Sequence, residues 1–175
     1  MKFYFHPDTT KGVKQGLIME TKEHKAVISS HLVKLSLLKP SIFEFTNHLT
    51  GKTEQHGIGA TVEIGKQDNL HFGLRYVVES YFKYDGENVW DYLFRMGCTV
   101  ERTIDGLKYN YTVYRRGLPI ASIKSAGGDL FNDDEAAQGG LKGKIGFRGQ
   151  YRVECDEADV ETAYLVCFAL ERTVN

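Results

Sequence analysis

A chain of 175 residues with 42% hydrophobic and 26% charged residues is the size and mixture of one globular domain, and excludes intrinsic disorder. The formal net charge of −1 excludes a molecule that binds nucleic acid through bulk charge. Eighteen Gly against three Pro, with ten Tyr and ten Phe, fit many short strands joined by glycine turns.

The opening "MKFYFHPDTT" has no apolar run long enough for a signal peptide, and no stretch approaches the length of a membrane span. Three widely separated cysteines, Cys98, Cys155 and Cys167, cannot all pair within the chain and fit reduced thiols. A cytoplasmic protein is expected, peripheral to the membrane if its surface docks on lipid.

In chain order, "HLVKLSL" alternates through Val33, Leu35 and Leu37, and "IFEFTNH" through Phe43 and Phe45 before the turn "LTGK". "ATVEI" and "LHFGLRYVVES" are two further strands, the second bent or bulged at Gly73. "ENVWDYLFRMG" reads equally as a helix, with Val89, Trp90, Leu93, Phe94 and Met96 on one face, or as a strand pair after Asp85-Gly86. Asp105-Gly106 marks a turn before "KYNYTVYR", and Arg116-Gly117 joins that strand to "LPIASI" as a hairpin. Residues 125–144, rich in glycine and carrying a short acidic cluster, form a long surface loop within a single domain spanning 1–175. "FRGQYRV" places Phe147, Tyr151 and Val153 on one face and Arg148, Gln150 and Arg152 on the other.

The run "ETAYLVCFAL" is apolar for eight positions from Ala163 to Leu170. Asp156 as N-cap, acids at 157, 159 and 161, and Arg172 near the end make 157–172 a helix. Its later half is apolar around the whole circumference, so other elements must surround it. The fold class expected is α+β, mainly antiparallel β: a closed barrel of about 10–12 strands around this central C-terminal helix.

Three stretches carry a family resemblance: "FEFTNHLTGK" (43–52), a strand and turn; "YNYTVYRRGLPIASI" (109–123), a tyrosine-rich hairpin; and "GQYRVECDEADVETAYLVCFALERTV" (149–174), a last strand and helix. In this order they resemble the tubby C-terminal-like superfamily, which includes LURP-one-related, scramblase and small bacterial proteins. The first thirty residues do not share the pattern. The resemblance implies a tubby-like barrel that binds rather than catalyses, docking to anionic phospholipid or to a protein partner. The head-group residues of tubby proteins have no counterpart that matches position by position, so none is carried over. The terminal span of the scramblases is also missing, and lipid transport is not expected.

Charge is unevenly distributed: residues 108–152 carry a net +4 and 153–175 a net −5. The basic section offers a candidate anion-binding patch of Arg115, Arg116, Lys142, Lys144, Arg148 and Arg152, with a solvated outer face as the plainer reading. The six histidines are scattered without metal-ligand spacing, although His48 and His56 flank a turn and could meet across a hairpin. Gly-x-Ser-x-Gly and nucleotide-binding glycine motifs are missing, so no catalytic residue, metal or cofactor is expected. The aromatics Tyr76, Tyr81, Phe82, Tyr84, Trp90, Tyr92 and Phe94 crowd into nineteen residues, as core or as a docking surface. The alternative to a binding domain is a small-molecule carrier or small barrel enzyme with an internal cavity.

Overall fold

The computed structural model describes residues 1–8, 16–36, 39–69, 73–106, 108–126, 129–132 and 149–172, with the backbone alone at 60, 61–69, 73–83, 105 and 172. The early strands are β1 (Lys2–Pro7), β2 (Leu17–Glu20), β3 (Ala26–Lys34), β4 (Ser41–Asn47), β5 (Lys52–Asn69), β6 (Gly73–Tyr84) and β7 (Glu87–Asn88). Helix α1 (Val89–Arg95) leads to β8 (Cys98–Asp105), β9 (Lys108–Arg115), β10 (Leu118–Ser125) and β11 (Tyr151–Cys155). A 3₁₀ turn (Glu157–Asp159) runs directly into α2 (Val160–Arg172).

All pairings are antiparallel and the strands form one sheet in the order β7-β6-β5-β4-β3-β2-β1-β11-β10-β9-β8. The closed tubby-like barrel is therefore corrected to an open sheet. The ladder ends at β7 on one side and β8 on the other, and these two strands do not pair. Helix α1 stands between them, touching β6, β7 and β8. A helix has used its backbone groups internally, so it occupies the gap without continuing the ladder.

Turn chemistry explains the register. Asp85 and Gly86 both have positive φ (51° and 83°), as do Arg116 and Gly117 (49° and 80°). Each pair forms a two-residue turn whose twist matches the flanking strands, so Tyr84 faces Glu87 and Arg115 faces Leu118. The sheet's inner face wraps α2. Phe3, Phe5, Met19, Val113, Ile123 and Val153 meet Val160, Val166 and Phe168, all essentially buried. Four successive residues, Val166 to Ala169, are fully buried, which only a helix enclosed on several sides achieves. Tyr164 is buried too, its hydroxyl hydrogen-bonded to the Leu17 carbonyl (2.8 Å) and the Ser30 hydroxyl (2.6 Å). Asp156 stands at the N-cap position of the 3₁₀ turn, but its side chain makes no capping bond.

Several local expectations are corrected. The alternation through Val33 and Leu35 does not mark a core face: both are exposed, β3 begins at Ala26, and Val27 to Ser30 are the buried part. Leu37 lies outside the described residues. "ATVEI" is the middle of the 18-residue β5, and Gly73 opens β6 instead of bending it. The ambiguous segment is a helix from Val89 after the short strand Glu87–Asn88; Phe94 points outward (73% exposed) and Met96, just past the helix, is 54% exposed beside the cleft, while Val89 and Leu93 are buried. The start of the long loop lies on the sheet's outer face, where Leu130 and Phe131 cover Tyr4. Phe147, Arg148 and the loop from 133 to 144 lie outside the described residues. No helix among the described residues is long and apolar enough to cross a membrane.

A candidate binding cleft at the seam of the sheet

Strand parity builds the site. Residues directly opposite in an antiparallel pair share a face. Phe43, Phe45 and Asn47 of β4 lie opposite His56, Glu54 and Lys52 of β5, and Ile58 lies opposite Tyr84 of β6. Phe43 and Ile58 are core residues, so the whole set points inward. Across the seam, Tyr111, Val113 and Arg115 form the inward row of β9, with Cys98 of β8 opposite Arg115. Toward this end of α2 the inward rows turn from apolar to polar.

Between them lies a cleft of about 450 Å³. Its floor is Glu161, Thr162, Tyr164 and Leu165 of α2. Tyr92 and Leu93 of α1 form a side wall with Met96, and Cys98 and Arg115 form another. The third wall comes from β3 to β6 with Asp85 of the β6–β7 turn. The cleft thus sits where the sheet fails to close.

Its polar groups form a connected set. Asp85 Oδ2 lies 2.7 Å from His56 Nδ1, and Asp85 Oδ1 accepts the Gly57 amide at 2.8 Å. On the other side of the ring, His56 Nε2 lies 3.1 Å from the Tyr84 hydroxyl and 3.4 Å from the Glu54 carboxylate. Burial, and then the nearby Tyr92 and the carboxylates of Asp85, Glu54 and Glu161, push the Tyr84 phenol well above its usual range, so it stays a donor. The imidazole stacks on Tyr84 at 4.6 Å and meets Phe45 edge-on at 5.2 Å, while Tyr84 meets Tyr92 at 5.1 Å.

Lys52 and Glu54 pair at 2.9 Å. The lysine's hydrogen bond lowers the Glu54 carboxyl below its ordinary range, and Glu54 raises the ammonium. Arg115 bonds Asp159 and, at 3.0 Å, the Thr162 hydroxyl; Asp159 raises its pKa against the opposing effect of burial, and the Cys98 thiol lies beside it. Glu161 accepts from the amide of Asn47 at 2.8 Å.

The expected basic patch is divided. Arg115 faces inward into the cleft, whereas Arg152 alternates with the buried Tyr151 and Val153 and faces outward. There Arg152 donates to the carbonyls of Leu130 (2.9 Å), Asp129 (3.0 Å) and Asn132 (2.8 Å), fastening that segment to the sheet. Arg116 sits in the β9–β10 turn, its amide bonded to the Gly97 carbonyl. Lys142, Lys144 and Arg148 lie outside the described residues. His48 and His56 do not meet, because His48 bonds the Ser29 hydroxyl at 2.8 Å. Of the aromatic cluster, Tyr84 and Tyr92 line the cleft, Trp90 packs against the core and Phe94 is exposed; the side chains of Tyr76, Tyr81 and Phe82 lie outside the described set.

Sequence reading missed the Lys52–Glu54–His56 row. The signal was present: in "KTEQHGI" the charged positions alternate in phase with Ile58, which places charge on an inward face. Among the described residues, no group of three His, Cys, Asp or Glu side chains is placed to hold a metal ion. Neither protein-family models, nor curated proteins, nor solved structures gave a match to this chain.

Proposed function

We propose that this domain is a binding module whose ligand site is the seam cleft, and that it holds its ligand without transforming it. The observation that carries this reading is an aromatic-walled cavity of about 450 Å³ at the one place where the described sheet is not continued by hydrogen bonds. Its size and its mixture of apolar wall and a few convergent polar groups are those of small-molecule sites. The polar groups of the cleft are already engaged with one another, which favours binding over catalysis. Both ring nitrogens of His56 are engaged, and the Cys98 thiol lies by the Met96 carbonyl (3.9 Å) and the Arg115 side chain, with no imidazole beside it among the described residues. Screening soluble small molecules by thermal shift tests the reading. Binders should stabilise the native chain and lose that effect in Leu165→Trp, which fills the cleft from its floor. Stabilisation indifferent to Leu165→Trp, or none from any compound, would refute it.

A second reading, docking to an anionic surface, is favoured by a groove of about 230 Å³ on the outer face, lined by Lys2, Lys124 and Arg152 together with Glu154. Neighbouring cations of this kind contribute about 1 kcal/mol each at an anionic bilayer. Co-sedimentation with phosphatidylserine vesicles, weakened by salt and by Lys2→Glu with Lys124→Glu, is the expected result. No sedimentation at low salt removes this reading.

A further inference from the structure

The charge arrangement of the cleft narrows the class of ligand. Lys52 is matched by Glu54 and Arg115 by Asp159, so each fixed cation already has its own carboxylate. Two carboxylates remain that are hydrogen-bonded to groups without a fixed charge. Asp85 is bonded to His56 and the Gly57 amide, and Glu161 to the side-chain amide of Asn47. The surplus is negative. It is felt inside the cleft: Asp85, Glu54 and Glu161 all act on the Tyr84 phenol, and Glu161 acts on Lys52.

The apolar walls have the same preference. Phe45, Tyr84 and Tyr92 are in ring contact with one another through Tyr84 and all line the cavity. An aromatic face carries negative quadrupolar potential and attracts a cation within about 6 Å of its centroid. The molecule already uses this attraction at the edge of the site, where the Arg95 guanidinium lies 5.3 Å over the Tyr92 ring from outside the cleft lining. An anionic ligand would instead meet Glu54, Asp85 and Glu161 while the fixed cations are committed to other carboxylates.

We infer that the cleft takes a small organic cation, an ammonium carried on an apolar body, with the charge at Glu161 and the body against Phe45, Tyr84 and Tyr92. This rests on the cleft being the binding site. The aromatic faces supply affinity for both the body and the charge, and the Glu161 carboxylate supplies discrimination against neutral and anionic analogues.

Three probes of one shape test it: 3-phenylpropylammonium, 3-phenylpropanol and 3-phenylpropanoate, each titrated calorimetrically into the full chain. The ammonium should bind about tenfold tighter than the alcohol, equivalent to about 1.4 kcal/mol, and the carboxylate weakest of all. Glu161→Gln keeps an acceptor for Asn47 but removes the charge. It should weaken the ammonium about tenfold while leaving the alcohol unchanged. Leu165→Trp, checked for unaltered cooperative unfolding, should abolish binding of every probe. If the three probes bind equally, if the carboxylate binds best, or if Glu161→Gln leaves the ammonium unaffected, the cation inference is overturned while the cleft stands as a site. If no probe binds, or if binding survives Leu165→Trp, both the inference and the cleft reading fall.

Discussion

Single residues divide sharply by which side of α2 they occupy. Val166 is fully buried, whereas Leu165, its neighbour, is half-buried and lines the cleft. A carboxylate at 166 would be desolvated without a partner; one at 165 reaches water. Val166→Asp should therefore cost several kcal/mol, about 4 or more, and abolish cooperative unfolding, while Leu165→Asp should cost clearly less. Chemical denaturation of the two variants measures the difference, and equal losses would mean that the cleft is not open to solvent. The sequence showed that this helix is apolar all round, but not that one side faces a cavity. Composition does not distinguish a Leu against protein from a Leu against a half-open cleft. The inward charges of β5 are a similar case. Their alternation is visible in "KTEQHGI", yet only Asp85, 29 residues downstream of His56, and Glu161 of α2, which acts on Lys52, make them a candidate site.

Among the elements, α1 matters most for the proposed site, because it stands in the gap and contributes Tyr92 and Leu93 to the cleft. It is short, and nothing in its propensity distinguishes it from a strand pair. Its start is decided by Asn88, whose side-chain oxygen accepts from the amides of Trp90 (2.9 Å) and Asp91 (3.4 Å). Asn88→Ala removes that cap and should destabilise the domain by about 1 kcal/mol, with the loss concentrated in α1. Far-ultraviolet circular dichroism with thermal unfolding checks it; an unchanged midpoint would show that tertiary packing alone holds the helix. The hairpin at Arg116-Gly117 was legible because a two-residue turn of this type needs positive φ at both positions, a strictly local demand; Asp85-Gly86 was read as a turn only under the strand-pair alternative. The start of β3 was not legible. Val33 and Leu35 alternate like core residues, but the pairing with β2 and β4 buries Val27 to Ser30 instead.

For the whole molecule, the burial of phenols and thiols around α2 sets a pH dependence. Burial raises the Cys155 thiol from its ordinary 9.0 to about 11, and raises Cys167, Tyr84 and Tyr151 in the same direction. Each is an acid kept neutral by the fold. Its contribution is complete below the unfolded pKa and is lost as pH rises through the folded one. Stability should therefore hold up to about pH 9 and decline from there through pH 11, with Cys155→Ala flattening part of the slope. Denaturant midpoints measured across that range check the expectation, and a flat profile would contradict the burial of these groups. At this scale the sequence was least informative. An apolar helix and many antiparallel strands were both readable, and a barrel is one way to combine them. Whether a sheet closes depends on whether its two edge strands meet. Here a two-residue edge, β7, and the helix that follows it leave β8 with one partner among the described strands.

Residue-resolved amide exchange along β8 tests this openness most directly. Among the described residues, only the amides of Cys98–Asp105 that face β9 have strand partners, so protection should alternate along the strand while β9 and β10 are protected continuously. That alternation would establish the free edge on which the seam cleft depends. Continuous protection along β8 would mean that another strand pairs there, the sheet closes, and the cleft is not the site described.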